Sequence, residues 1–289
     1  MAEAIRTAAS PPRAGRPAGD AVLTVEHLAK SYRLDNRTTR HAVGDVSLEV
    51  RRGEFLCIVG SSGVGKTTLV KCLAGLIKPT GGELSFDGEP IDGTPPGMGL
   101  VFQDYGRSLF PWWTVERNVT MGLRHRKLSR PARRKAAGEA LEAVGLPGVA
   151  GAYPWQLSGG MQQRVAIARA LAYEAELLLM DEPFASVDAQ TRYELEDLVL
   201  RLGERTGLTV LFVTHDIDEA VYLADRIVVL AGSPSSVREV IDVPLDRPRD
   251  QHHTKGDPAF TALRTRVLDL LPTRAATQAE PNPEDVREQ

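Results

Sequence analysis

The sequence predicts an α/β fold with a mainly parallel β-sheet that is covered by helices on both faces. Short runs of consecutive apolar residues, typical of strands buried on both sides, alternate with segments of helical periodicity. Because parallel neighbours need a long crossover connection, this alternation favours parallel pairing. The chain has 289 residues, 42% of them hydrophobic, which is enough for one large domain of this class.

Six segments are predicted as strands. They are Val22–Leu28, Val46–Val50, Phe55–Val59, Leu177–Met180, Val210–Val213 and Ile227–Leu230. The third strand leads into a glycine-rich turn and then into a helical stretch, where Leu69, Leu73 and Leu76 are expected on one face.

Three regions differ from this α/β core. Residues from about 104 to 163 predict an inserted helical subdomain, with Arg130–Glu142 as its clearest helix. Residues 1–19 are rich in Ala, Pro and Arg, and residues 273–289 are similar but more acidic, so both ends are predicted to be disordered tails. The folded domain is therefore expected to span residues 20–272.

Composition narrows the class of protein. The net charge of -3 disfavours a nucleic-acid partner, which usually requires a basic surface. The two cysteines, Cys57 and Cys72, each lie in an apolar stretch and are expected to be reduced and buried. The sequence contains no apolar run of about 18 residues and no secretory leader, so we expect a cytoplasmic protein whose membrane partners, if any, are other chains.

The segment Gly60–Thr67 reads GSSGVGKT and fits the phosphate-binding pattern G-x-x-x-x-G-K-[ST] between a strand and a helix. Its glycines allow a tight turn whose N–H groups, with the positive end of the helix, hold the β-phosphate. Lys66 is expected to neutralise the β- and γ-phosphates and Thr67 to ligate Mg²⁺. A chance glycine-rich turn is disfavoured by the strand–loop–helix context. The predicted nucleotide contacts are Gly60, Ser61, Ser62, Gly63, Val64, Gly65, Lys66, Thr67 and Thr68.

Two later strands end in polar residues, where open α/β sheets bind ligands. Asp181 is predicted to hold Mg²⁺, and Glu182 to polarise the attacking water as a general base. His215 is predicted to contact the γ-phosphate and fix that water. The alternatives are structural: an acidic strand end caps the next helix, and Asp216 with Glu219 resembles a helix N-cap pair.

The segment Leu157–Gln163, LSGGMQQ, precedes a helix of small residues. It resembles the signature loop of ATP-binding-cassette (ABC) ATPases, and the resemblance extends from about Val22 to Leu271. It also includes Tyr32, Gln103, the loop Ala185–Asp188 and His215. The resemblance implies a P-loop NTPase fold of the ABC type, with a parallel-sheet core, an antiparallel β subdomain and an inserted helical subdomain.

Ser158, Gly159 and Gly160 stand at a helix N-terminus and can form a second anion site. In the family this loop, here with Gln162, serves the nucleotide of a partner subunit, so two copies sandwich two ATP molecules. The resemblance implies a second ATPase subunit, most simply an identical one.

Further roles are implied by the resemblance. Tyr32 would stack on adenine, and Gln103 would reach Mg²⁺ and the attacking water. Asp188 would span the dimer interface. The loop that ends at Asp188 reads Ser-Val-Asp where many relatives have Ala-Leu-Asp. We expect Val187 to have little effect, because it is an apolar replacement.

The rings Phe110, Trp112 and Trp113 follow the Gln103 loop. They predict either a groove for a partner helix or the core of the helical subdomain. The chain also resembles the nitrate, sulfonate and taurine importer subgroup. The segments that carry this resemblance are LFPWW from Leu109, YPWQL from Tyr153, and the later segments PRD and DPAF.

That resemblance implies an ATP-hydrolysing motor on the cytoplasmic face of the cell membrane that drives uptake of a small anion. Its implied partners are transmembrane permease subunits and, through the complex, a substrate-binding protein. The alternatives are a cassette ATPase of a soluble DNA-repair or translation complex and an exporter motor. The single cassette, the lack of a long coiled-coil insert and the lack of a fused membrane domain disfavour both.

Overall fold

A ten-stranded sheet forms the centre of the fold in the computed structural model, which describes residues 20–33, 38–103, 108–124 and 126–271. The strands are β1 Ala21–Arg33, β2 Thr39–Arg51, β3 Phe55–Gly60, β4 Gly81–Phe86, β5 Glu89–Pro90, β6 Met98–Val101, β7 Leu177–Asp181, β8 Thr209–Thr214, β9 Arg226–Ala231 and β10 Ser235–Asp242. The α-helices are α1 Lys66–Leu73, α2 Val115–Thr120, α3 Arg130–Ala143, α4 Gly159–Ala172, α5 Ala189–Thr206, α6 Ile217–Leu223, α7 His253–Gly256 and α8 Pro258–Leu270. The two predicted tails lie outside the described residues.

The sheet has a parallel part and an antiparallel part, in the order β5-β4-β1-β2-β10-β9-β3-β8-β7-β6. Strands β9, β3, β8, β7 and β6 pair in parallel, and β5, β4, β1 and β2 pair in antiparallel fashion. β10 joins the two parts, since it pairs antiparallel with β9 and parallel with β2. The predicted fold class is confirmed.

Alternate residues of the central strands face two separate cores. Phe55, Cys57 and Val59 of β3 face the core that includes α4, α5 and α6. Leu56 and Ile58 face the core that includes α1 and the antiparallel strands. All six residues of β3 are buried. This explains why the central strands read as continuous apolar runs.

The helical region between β6 and β7 contains α2, α3 and α4. α2 and α3 begin at N-caps, where Thr114 and Ser129 accept backbone N–H groups of their first turns. α4 runs past residue 163, the predicted end of the insertion, to Ala172. None of the helices in the described ranges has the length and apolar content that crossing a bilayer requires.

The prediction for Leu76 was wrong. α1 ends at Leu73, and Gly75 follows with a φ of +66°, which breaks the helical periodicity. Leu69 and Leu73 are buried as expected, whereas Leu76 is 48% exposed.

Candidate functional site

The loop Gly60–Gly65 connects β3 to α1 at the carboxyl end of the parallel strands. Gly65 has a φ of +107°, and a Cβ there would lie 2.4 Å from the Ala42 carbonyl oxygen, so the turn excludes any larger residue. The Lys66 side chain is 4% exposed. Its Nζ donates to the carbonyl oxygens of Gly60 (2.8 Å) and Ser61 (3.1 Å), which folds the lysine back over the loop.

The remaining loop residues differ in exposure. Val64 is buried in the core around α1, whereas Ser62, Gly63 and Thr67 are exposed and Ser61 and Thr68 half-buried. The exposed members therefore present backbone N–H groups and a hydroxyl to solvent at the N-terminus of a helix, which is the arrangement that binds phosphate groups.

Asp181 ends β7 and is 4% exposed. Burial raises the pKa of its carboxyl, and hydrogen bonding to Thr67 opposes that rise. Its Oδ1 is buried without a hydrogen-bond partner among the described residues. A carboxylate oxygen without a hydrogen-bond partner and a neighbouring threonine hydroxyl are oxygen ligands of the kind that Mg²⁺ prefers.

Glu182 lies between two cationic or titratable groups. Its Oε1 is 3.2 Å from Lys66 Nζ, and its Oε2 is 2.9 Å from His215 Nδ1. The residue has a φ of +44°, a left-handed conformation that costs a non-glycine residue about 1–3 kcal/mol. The sheet therefore brings three sequence-predicted residues from three segments into direct contact, with His215 half exposed to solvent.

A second charged cluster lies behind His215. Asp216 Oδ1 accepts the N–H groups of Asp218 and Glu219 at the start of α6, so the N-cap interpretation of Asp216 is correct. Glu219 does not complete a capping box, because its Oε2 accepts the Thr214 hydroxyl at 2.5 Å. Burial raises the pKa of Glu219 to about 7. Arg192 of α5 lies near both Asp216 and Glu219.

This cluster and the Glu182–His215 pair bound a small cavity. Its volume is about 40 Å³, and its lining residues are Glu182, Ala185, Arg192, Thr214, His215, Asp216 and Glu219. A polar space of this size holds about one water molecule.

The signature loop lies elsewhere, at the N-terminus of α4. Ser158 is its N-cap and accepts the Met161 N–H, while Gln162 Nε2 donates to the Leu157 carbonyl oxygen at 3.2 Å. Gly160 faces α5 so closely that a Cβ there would lie 2.4 Å from the Thr191 methyl carbon. Among the described residues, no hydrogen bond or ion pair joins Ser158, Gly159, Gly160 or Gln162 to the loop Gly60–Gly65.

Tyr32 and Gln103 lie on the periphery of the site. Tyr32 lies opposite Arg40 near the end of β1 and is 37% exposed, with Lys30 Nζ 5.3 Å from its ring centroid. Gln103 follows β6 and is exposed. Neither forms a hydrogen bond with the phosphate-binding loop among the described residues.

The aromatic residues form a surface rather than a core. Trp112 is 68% exposed, while Phe110 and Trp113 are half-buried with ring centroids 4.4 Å apart. Val115 N–H donates to the Ala152 carbonyl oxygen, which places this segment beside Tyr153–Trp155. Trp155 is 69% exposed. We call Trp112, Tyr153 and Trp155 the aromatic patch.

Sequence reasoning missed Arg192. The signal for it was weak: an arginine four residues after Asp188, in the first turn of a helix, usually lies in solvent. Only the tertiary arrangement of α5 and α6 brings it to the acidic groups behind His215.

Known proteins resemble this chain in both sequence and structure. The family model described as ABC transporter matches residues 43–185. The nitrate import ATP-binding protein NrtD of Synechococcus elongatus is 44% identical over 238 residues, covering 81% of this chain and 86% of the relative. The aliphatic sulfonates import ATP-binding protein SsuB of Bacillus licheniformis is 46% identical over 229 residues, covering 79% of this chain and 86% of the relative.

A solved structure is also similar. The dimeric post-hydrolysis state of the ATP-binding cassette MJ0796, bound to ADP and Pi, superposes with a TM-score of 0.68 at 33% identity. The match covers 76% of this chain and 98% of the solved chain.

Proposed function

The chain belongs to the family of ABC transporter ATP-binding subunits, and we propose that it is the ATP-hydrolysing motor of an importer that takes up a small anion such as nitrate or a sulfonate. The observation that carries the ATPase part is the convergence of Lys66, Glu182 and His215 beside a glycine-rich phosphate loop. The anion is proposed from the relatives alone, since the residues that would contact a cargo belong to other chains.

The residues present fit a nucleoside triphosphate. The loop offers exposed backbone N–H groups and the positive end of α1, and Lys66 supplies a positive charge within it. A γ-phosphate would compete with Glu182 for the Lys66 ammonium, because both are anions seeking the same donor. Tyr32, exposed at the end of β1, is the proposed stacking surface for adenine.

The residues present also fit Mg²⁺. Thr67 and Asp181 are the proposed protein ligands, with Gln103 reaching the ion from the edge strand β6. The described residues contain no group of three His, Cys, Asp or Glu side chains for a metal, which agrees with an ion held mainly by phosphates and water. When bound, Mg²⁺ would neutralise charge that develops on the β- and γ-phosphates.

The catalytic roles follow from the Glu182 geometry. Glu182 is the proposed general base that orients the attacking water, and its contact with Lys66 places it within reach of the phosphate end of the loop. His215 holds the second carboxylate oxygen and so fixes the direction in which the first points. Lys66 stabilises the charge of the leaving and transferring groups.

The signature loop supports a dimer. It presents a capped helix N-terminus with no hydrogen bond or ion pair to the phosphate loop among the described residues, so its proposed ligand is the nucleotide of a second copy. The proposed assembly is a homodimer in which Ser158, Gly159, Gly160 and Gln162 of each copy close over the ATP of the other. Asp188 would lie at that interface, since it caps α5 beside Gly160 and Thr191.

The aromatic patch is the proposed contact for the transmembrane permease. Tryptophan is a common anchor in protein interfaces, and both Trp112 and Trp155 are exposed here. The proposed complex sits on the cytoplasmic face of the membrane and receives its cargo from a substrate-binding protein.

The test is uptake by the intact host. Lys66→Ala is compared with Lys71→Ala, an exposed lysine of the same helix, in cells given labelled nitrate or a labelled alkanesulfonate. We expect Lys66→Ala to abolish uptake of one of these anions and Lys71→Ala to preserve it. Uptake of both anions unchanged by Lys66→Ala, in a strain without a second importer, would contradict the anion assignment. ATP hydrolysis by purified Lys66→Ala at the rate of the parent would contradict the assignment of the ATPase site to Lys66 and its loop, and a parent without ATP hydrolysis would contradict the ATPase assignment.

A further inference from the structure

Arg192 lies in the first turn of α5, directly after the loop Ala185–Asp188. Its backbone N–H donates to the Asp188 carbonyl oxygen at 2.9 Å, and its Nη2 lies 3.5 Å from the Val187 carbonyl oxygen. The side chain is 28% exposed. Arg192 therefore contacts the loop that leads from Glu182 into α5 through both its backbone and its guanidinium.

The same guanidinium reaches the segment that carries His215. Its Nη1 lies 3.4 Å from Asp216 Oδ2, and its Nε lies 3.6 Å from Glu219 Oε1. Glu219 is almost fully buried, so its interaction with a cation is screened little by solvent.

Glu219 in turn is tied to the backbone around His215. The Thr214 hydroxyl donates to Glu219 Oε2 at 2.5 Å and accepts the Asp216 N–H at 2.9 Å. These two bonds fix the residues on either side of His215, which restricts its backbone. His215 Nδ1 is then held 2.9 Å from Glu182 Oε2.

We propose that Arg192 is a positioning residue for ATP hydrolysis, which holds the Ala185–Asp188 loop and the His215 segment in one arrangement through the Val187 carbonyl, Asp216 and Glu219. This inference rests on the proposed function. Its consequence is that Arg192 acts on the chemical step through His215 and Glu182 while leaving the phosphate loop untouched, because it has no contact with Lys66 or with the loop Gly60–Gly65 among the described residues.

An arginine suits this task better than a lysine. Its planar group donates from Nη1 and Nη2 to Asp216 and the Val187 carbonyl, while Nε stays in ion-pair range of Glu219 without a hydrogen bond; an ammonium is a single point charge. The cavity of about 40 Å³ between Arg192 and Glu182 shows that the cluster also bounds the space beside the proposed base. A misplacement of about 1 Å in a catalytic arrangement can cost about 100-fold in rate.

The experiment measures steady-state ATP hydrolysis by the purified full-length chain. Arg192→Gln is compared with Arg201→Gln, an exposed arginine further along the same helix, and with Arg192→Lys. We expect Arg192→Gln to lower kcat about 10- to 100-fold and to change KM for ATP less than about 3-fold. Arg201→Gln should match the parent, and Arg192→Lys should recover part of kcat because it keeps the charge.

A double-mutant cycle separates positioning from a general loss of structure. If Arg192 acts through His215, Arg192→Gln will lower kcat far less in a His215→Ala background than in the parent. Full additivity, or a kcat for Arg192→Gln equal to that of Arg201→Gln, would overturn the inference. A melting temperature for Arg192→Gln far below that of the control, with KM and kcat lost together, would also overturn it. A parent chain that fails to hydrolyse ATP would instead sink the proposed function.

Discussion

The Lys66 ammonium and the Glu182 carboxylate lie 3.2 Å apart at the carboxyl edge of the parallel strands, both largely buried. The two residues are separated by more than a hundred positions in sequence, and neighbouring parallel strands bring them together: β3 and β7 both flank β8. His215, at the end of β8, completes the contact from between them. The proposed chemistry of the chain depends on this arrangement.

Glu182→Gln should separate nucleotide binding from hydrolysis. The amide keeps the shape of the side chain but cannot accept a proton from water, so we expect kcat to fall by at least about 100-fold while ATP still binds. The variant should accumulate as an ATP-bound dimer, measured by light scattering after gel filtration with ATP and Mg²⁺. Glu83→Gln, an exposed residue of β4, is the charge-matched control. A Glu182→Gln protein that remains monomeric with ATP would argue against the proposed dimer.

Glu219→Gln should remove a pH dependence of stability. The pKa of Glu219 is raised from 4.5 to about 7, so the folded protein binds this proton more tightly than the unfolded chain does. Stability from this group is therefore present at low pH and is lost as pH rises from about 4.5 to about 7. We expect the parent to lose on the order of 2 kcal/mol from this group between about pH 5 and pH 8, a loss that the variant lacks.

Several charged or titratable groups surround Glu219 and influence its pKa. The titratable or charged groups that face it are Arg192, Glu196, Asp216 and the buried Cys57 thiol. Urea unfolding at the two pH values gives the difference directly. The control is Glu83→Gln, which should keep the pH dependence of the parent. If the free energy of unfolding changes equally between the two pH values in the parent and in Glu219→Gln, the Glu219 carboxyl is not held protonated by burial.

Arg249→Met should destabilise the fold. The Arg249 guanidinium donates to the carbonyl oxygens of Tyr222 and Ala224 at 2.8 Å and to that of Leu245 at 3.4 Å. Two of these carbonyls end α6, where helical partners are lacking. Burial lowers the pKa of Arg249 to about 10, which leaves it charged at neutral pH. We expect a loss of about 2–4 kcal/mol in the free energy of unfolding. Arg238→Met, at an exposed position, should change it little.

Trp112→Ala tests the aromatic patch. Removing a ring that is 68% exposed should not weaken the fold, because little buried area is lost. If the ring anchors a permease helix, the variant should co-purify with the membrane subunits about 10-fold less well, equivalent to about 1.4 kcal/mol. Leu268→Ala, at an apolar residue of α8 that is 57% exposed, is the control. If Trp112→Ala recovers the same amount of the membrane subunits as Leu268→Ala does, the permease contact lies elsewhere.

The parts of the fold that the sequence predicts are those in which neighbours along the chain determine the pattern. β3, β7, β8 and β9 are apolar runs buried on both faces, and they were found to within a residue or two. β4, β5, β6 and β10 were missed: β4 begins with two glycines, β5 and β6 have only two and four residues, and β10 exposes several polar residues. Leu76 was misplaced since Gly75 ends the helical periodicity one turn earlier than the apolar spacing indicates.

The site shows the same division. The rule that ligands bind at strand carboxyl ends places Asp181, Glu182 and His215 near Lys66 without a structure. Nothing in the local sequence indicates that Glu182 adopts a φ of +44° or that Glu219 turns back to Thr214. Both features lie in the segments that follow β7 and β8, and they are seen only in the three-dimensional structure.

The aromatic surface has one more consequence. The three tryptophans of the chain are Trp112, Trp113 and Trp155, and all lie in the helical region between β6 and β7. Two are exposed, and the ring of the third is covered by the guanidinium of Arg117 at 4.5 Å. Intrinsic fluorescence excited in the indole band therefore comes from this one surface. Its emission wavelength and its quenching by iodide would report the covering of that surface directly, with no dye attached to the protein.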